Sequence, residues 1–106
     1  MFSFFTRSKV NSINVNELKD LLGRINLIDI RETYEYKNGH LPKAKNIPMS
    51  KILSEPDKYL NKDKEYYIIC QSGGRSTSTS RKLKAMGFNI VNVSGGTGSY
   101  TGALAR

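Results

Sequence analysis

Apolar positions along this chain fall into two alternating rhythms. Compact runs, Ile25-Asn26-Leu27-Ile28-Asp29-Ile30, Ala44 to Ile47, Tyr66-Tyr67-Ile68-Ile69 and Asn89 to Val93, are rich in β-branched and aromatic residues and predict buried strands. Between them the apolar residues recur at helical spacing. Val15, Leu18, Leu21 and Leu22 follow Asn14, a candidate N-cap with Glu17 three residues on, and predict a helix ended by Gly23. Glu32 to Asn38 predicts one helical turn stopped by Gly39, and Ser50-Lys51-Ile52-Leu53 opens a helix that Pro56 interrupts or restarts. Ser76 to Met86 predicts a longer helix, with Ser76, Thr79, Leu83 and Met86 on one face, Arg81, Lys82 and Lys84 toward solvent, and Gly87 as its cap. Asn61 to Lys64 reads as a solvated turn, and Ser99 to Arg106 as a short helix or tail. Strands alternating with helices over short connections imply an α/β fold, a mostly parallel central sheet with helices on both faces.

At 106 residues the chain forms one domain, burying about two-thirds of its unfolded surface, and is too short for two. Apolar residues at 38% and charged residues at 25% are those of an ordered globular protein, which excludes a disordered chain. We expect residues 1–11 to be a flexible N-terminal segment and 12–106 the domain, with Phe2, Phe4 and Phe5 free to touch its body or a membrane surface. The apolar start is too short for a signal-peptide core, and no run is long enough to span a membrane, so a cytoplasmic location is expected. A single cysteine can form neither an internal disulfide nor a multi-thiolate metal site.

Seventeen basic residues against nine acidic give a net charge of +8, and its distribution sharpens the picture. From Tyr66 to Arg106 there are five basic residues, Arg75, Arg81, Lys82, Lys84 and Arg106, and no Asp or Glu. That half favours an anionic substrate over nucleic acid, for which the chain carries no aromatic-studded basic groove.

The one cysteine sits where such a substrate would bind. Cys70 follows the Tyr66–Ile69 strand at the carboxyl end, where open α/β sheets place their ligands, and Gln71-Ser72-Gly73-Gly74-Arg75-Ser76 leads directly into a helix. Paired glycines let successive N–H groups turn inward, and the helix start adds its own N–H groups and positive dipole end. Such surroundings lower a thiol pKa to roughly 3.5–7.5 from about 8.5. A lone cysteine is more often a small buried hydrophobe. Core packing, however, accounts for neither the glycine pair nor the arginine that closes the loop.

Cys70-Gln71-Ser72-Gly73-Gly74-Arg75-Ser76 resembles the active-site loop of single-domain rhodaneses, the sulfurtransferases whose pattern is Cys-x-x-Gly-x-Arg-Ser. Asp29-Ile30-Arg31-Glu32, Glu35-Tyr36, Gly39-His40-Leu41-Pro42-Lys43-Ala44-Lys45-Asn46-Ile47-Pro48, Gly87-Phe88 and Val93-Ser94-Gly95-Gly96 are similar to further family segments in the family's order. Three positions depart from it: Pro42-Lys43 replaces x-Gly, Thr79-Ser80 replaces a small Ala pair, and Tyr100 stands where Trp is common. The resemblance implies a rhodanese-like three-layer sandwich without metal or cofactor. It also implies a supporting role for Asp29 and Arg31 and no catalytic use of His40, whose ring is expected to satisfy local backbone groups.

The implied reaction moves a sulfane sulfur from a small anionic donor such as thiosulfate, through a persulfide on Cys70, to cyanide or a thiol of a small molecule or protein. In it Cys70 is the nucleophile, the N–H groups from Gln71 to Ser76 stabilise the anion, and Arg75 with Ser76 holds the loop or the donor's charge. Two competitors are a persulfide carrier or interaction module for a partner enzyme, and a cysteine-based phosphatase or arsenate reductase. Loop length disfavours the latter. Four residues separate Cys70 from Arg75, and the phosphatases resembling this fold have five, a wider cradle suited to a tetrahedral oxyanion.

Overall fold

A computed structural model describes residues 9–106, so the contacts of Phe2, Phe4 and Phe5 lie outside the described residues. Five strands form one sheet: β1 (Asn11–Asn14), β2 (Asn26–Asp29), β3 (Lys45–Asn46), β4 (Glu65–Ile69) and β5 (Asn89–Ser94). Their spatial order is β1-β5-β4-β2-β3, and every pairing is parallel. The helices are α1 (Thr33–Lys37), α2 (Met49–Ser54), α3 (Pro56–Tyr59) and α4 (Gly74–Ala85), joined by 3-10 turns at Val15–Leu18 and Thr97–Ser99. Among the described residues no helix is long and apolar enough to cross a membrane.

The central strands read as unbroken apolar runs because both faces are covered. Alternate side chains of one strand point to opposite faces, so Tyr66, Ile68 and Cys70 join Ile28, Ile52, Leu60, Leu83 and Ile90 in one core. Ile69, with Tyr67 packed beside it, joins Val15, Leu18, Leu27, Leu41 and Val93 in the other. α2, α3 and α4 contribute to the first core; the Val15–Leu18 turn and Tyr36 of α1 belong to the second. The sheet register sets Asp29 beside Ile69 and Ile68 beside Asn92. Asp29-Ile30-Arg31, Cys70-Gln71 and Ser94-Gly95-Gly96 therefore leave the sheet together at its carboxyl edge.

Three sequence expectations are corrected. Residues 11–14 form an edge strand, Ser12 opposite Asn92, so the sheet begins within the segment expected to be flexible. Main-chain pairing does not need apolar side chains, and this strand is mostly polar. The expected helix from Asn14 to Gly23 is a four-residue 3-10 turn followed by irregular turns. Its capping box forms, Asn14 accepting from the Asn16 N–H and Glu17 from that of Asn14, but Val15 and Leu18 lie three apart, the spacing that eclipses in a 3-10 turn, and both are fully buried. Asn16 is meanwhile held by the Ser99 carbonyl and the Thr101 amide. Met86, expected on the buried face of the long helix, is 42% exposed at its C-cap, and Ser80 is buried in its place.

Candidate functional site

Ile68 and Ile69 are fully buried and hold the end of β4 rigidly, which fixes the Cα of Cys70, itself 1% exposed. The next residues turn back over the sulfur. Gly73 has φ +112°, a left-handed conformation open to glycine, and serves as N-cap of α4. In that conformation the Gly73 N–H donates to Cys70 Sγ at 3.2 Å, and the Ser76 N–H, from the first turn of α4, donates to the same sulfur at 3.2 Å.

Burial pushes the Cys70 thiol up, and the Ser76 hydroxyl and N–H, together with the Gly73 and Ser72 N–H groups, more than reverse this, so the thiol titrates below its ordinary value. The Ser76 hydroxyl also lies 3.1 Å from the Gly73 carbonyl, to which it donates, so its single proton serves either the loop or the sulfur. Gln71 and Ser72 are exposed at the rim.

Arg75 closes the loop by a route the sequence did not announce. Its two terminal nitrogens donate to the two carboxylate oxygens of Glu35 on α1, at 2.9 and 3.0 Å. The Arg75 guanidinium draws the Glu35 pKa from 4.5 down to about 2 against a smaller opposing push from burial. Hydrogen bonding to Glu35 in turn raises the Arg75 pKa. The charge of Arg75 is thus largely matched on the protein. Glu35 entered the sequence reading only within a family segment, with no role assigned, yet a signal existed: with no Asp or Glu after Glu65, any side-chain acid that pairs with Arg75 has to precede Tyr66.

Asp29 and Arg31 form a buried unit beside the loop. Arg31 donates from Nε and Nη2 to the Asp29 carboxylate at 2.8 to 3.1 Å, from Nη2 also to the Gly39 carbonyl at 2.7 Å, and from Nη1 to Gln71 Oε1 at 3.0 Å. Asn46 Nδ2 bridges the carbonyls of Asp29 and Arg31. One guanidinium therefore ties the end of β2, the turn after α1 and the first loop residue into one network, and neither Asp29 nor Arg31 contacts the sulfur. His40 is engaged elsewhere: its ring stacks on Tyr36 at 3.7 Å and its Nδ1 pairs with the Tyr36 carbonyl at 2.8 Å.

The segment after β5 braces the loop from the other side. The N–H groups of Thr97 and Gly98 donate to the carbonyls of Cys70 and Gln71, each at 2.9 Å. A Cβ on Gly96 would lie 2.4 Å from the Gln71 carbonyl oxygen, so only glycine permits this approach. The family departure at Pro42-Lys43 also has a structural consequence, because Lys43 adopts φ +72° without being glycine.

Known proteins resemble this chain in sequence and fold. The family model described as "Rhodanese-like domain" matches residues 14–103. Bacillus subtilis "Putative sulfurtransferase YtwF" is 45% identical over 72% of this chain and 73% of its own length. "Putative sulfur carrier protein YrkF" of the same organism is 38% identical over 74% of this chain, which spans only 42% of that relative. The crystal structure of SSP1007 from Staphylococcus saprophyticus superposes with a TM-score of 0.78 at 38% identity, covering 92% of this chain and all of that one. The parallel sheet, the loop wrapped on Cys70 and the match across nearly the whole chain place it together with these proteins: it belongs to the rhodanese-like domain family.

Proposed function

We propose that the protein is a thiosulfate-type sulfurtransferase in which Cys70 carries the sulfur. The observation that carries this reading is the pair of N–H groups, from Gly73 and Ser76, aimed at one sulfur from a helix start. The Cys70 thiolate attacks the sulfane sulfur of thiosulfate. A new S–S bond forms, the donor's S–S bond breaks, and sulfite departs with its electron pair. The persulfide's terminal sulfur then lies in the N–H cradle of residues 71–76. A thiolate or cyanide attacks that sulfur and Cys70 leaves as the thiolate, completing a double displacement.

Arg75 acts on the loop through Glu35, and the donor's negative charge is met by backbone N–H groups. Asp29 and Arg31 position Gln71. The acceptor thiol comes from outside, since the chain has no second cysteine. A second reading, a persulfide carrier that hands sulfur to a partner enzyme, is favoured by the name of YrkF and uses the same first half-reaction. Phosphatase chemistry is disfavoured by the short loop, whose N–H groups converge on the sulfur itself.

Intact-protein mass spectrometry after incubation with thiosulfate, without reductant, tests the first step. A gain of one sulfur atom that is absent in Cys70→Ser is expected; an unmodified native protein overturns the reading. Added cyanide separates enzyme from carrier, because the enzyme releases thiocyanate over many turnovers and the carrier does not.

A further inference from the structure

Both guanidiniums at the Cys70 loop are matched by carboxylates. Arg75 meets Glu35 through two hydrogen bonds, and Arg31 meets Asp29 through three while its Nη1 turns to Gln71. Among the described residues, no charged side chain outside these two ion pairs hydrogen-bonds to residues 70–76. Gln71 and Ser72, exposed at the rim, are neutral. The next basic residue along α4 is Arg81, six residues past Arg75. That is about 9 Å of helix rise, more than the roughly 8 Å Debye length at physiological ionic strength.

The Gly73 and Ser76 N–H groups are aimed at the sulfur, so during transfer they serve the sulfane sulfur. Whatever group lies beyond that sulfur faces a rim without net charge. One negative charge on the sulfane sulfur is stabilised; a second charge beyond it loses water and gains no counter-charge. Resting on the sulfurtransferase reading above, we propose that the site selects donors whose only negative charge is on the sulfur transferred, alkyl persulfides and thiosulfonates, over dianionic thiosulfate, which is a slower donor. The Cys70 thiolate attacks the terminal sulfur of such a donor. A new S–S bond forms, the donor's S–S bond breaks, and an alkyl thiolate or sulfinate leaves with the electron pair, so the step needs neither oxidant nor proton.

Methanethiosulfonate carries a methyl group where thiosulfate has an oxyanion, so the two are close in size and differ by one charge. Each is mixed at low ionic strength with the native protein, Glu35→Gln and Ser72→Lys, and sulfur loading of Cys70 is followed over time by intact mass. The native protein is expected to load about fivefold faster or more from methanethiosulfonate. Glu35→Gln frees the charge of Arg75, and Ser72→Lys adds a cation at the rim without touching either ion pair, so the test does not depend on the stability of Glu35→Gln. Each variant is expected to raise loading from thiosulfate relative to methanethiosulfonate by about fivefold, an effect that shrinks in high salt. Sulfite and methanesulfinate differ as leaving groups, and comparing the donor ratio between variant and native removes that difference. Equal or faster loading of the native protein from thiosulfate, or one donor ratio in all three proteins, overturns the charge selection and leaves the sulfurtransferase reading in place. Loading from neither donor overturns both.

Discussion

Glu35 and Arg75, forty positions apart in sequence, meet through two parallel hydrogen bonds that lock α1 to the loop around Cys70. The guanidinium holds the Glu35 carboxyl at a pKa of about 2, below its ordinary 4.5. A depressed carboxyl pKa stabilises the fold above the ordinary value, and that contribution is lost as pH falls from about 4.5 toward 2. Denaturant unfolding of the native protein across this window is therefore expected to show a steeper acid loss than Glu35→Gln, and identical slopes would show that the pair contributes nothing. Both side chains are partly exposed, so the effect is expected to shrink in high salt.

Cys70 titrates below an ordinary thiol because the Ser76 hydroxyl and the loop N–H donors together outweigh its burial. The thiolate's ultraviolet absorbance is expected to rise with a midpoint below about 8.5. Arg75→Ala removes a positive charge that interacts with the Cys70 thiolate and is expected to move that midpoint up, with slower persulfide formation. Cys70→Ser is expected to fold and to form no persulfide. A native midpoint at or above that of free cysteine contradicts an activating loop.

Asp29→Ala leaves the buried Arg31 guanidinium without its carboxylate, a loss of roughly 3–5 kcal/mol for a broken buried pair. Thermal melting is expected to drop steeply, whereas any folded fraction retains sulfur loading, because Asp29 does not touch Cys70. Unchanged melting with abolished loading would make Asp29 part of the chemistry.

Lys43 stands at φ +72° where the family commonly has glycine. A left-handed non-glycine residue costs roughly 1–2 kcal/mol, so Lys43→Gly is expected to stabilise by about 1 kcal/mol after the added freedom of the unfolded chain is subtracted. Chemical denaturation reads this directly, and a destabilised variant would mean that the lysine side chain makes a compensating contact.

Ser80 is fully buried on α4 and, among the described residues, its hydroxyl has no partner. Removing an unsatisfied hydroxyl and improving helix propensity act in the same direction, so Ser80→Ala is expected to raise stability by about 1 kcal/mol. Lower stability would reveal a partner such as a bound water.

The sequence by itself determined the elements whose signals are local. Tyr66–Ile69 reads as a strand from its own residues, the Gly73-Gly74 pair marks the turn, and together they locate the Cys70 loop before any folding is considered. Apolar runs buried on both faces likewise carry the parallel α/β architecture. Tertiary structure alone decided what depends on partners distant in sequence. β1 exists because its main chain pairs with β5 eighty positions away, and its polar residues leave no hydropathy trace. The segment after Asn14 has helical spacing, but burial of Val15 and Leu18 and the hold of Ser99 and Thr101 on Asn16 tighten it to a 3-10 turn. The partner of Arg75 and the hold of Arg31 on Gln71 follow from the register that sets β2 beside β4. Side-chain pairing between strand ends is a property of that register, and no local rule of sequence contains it.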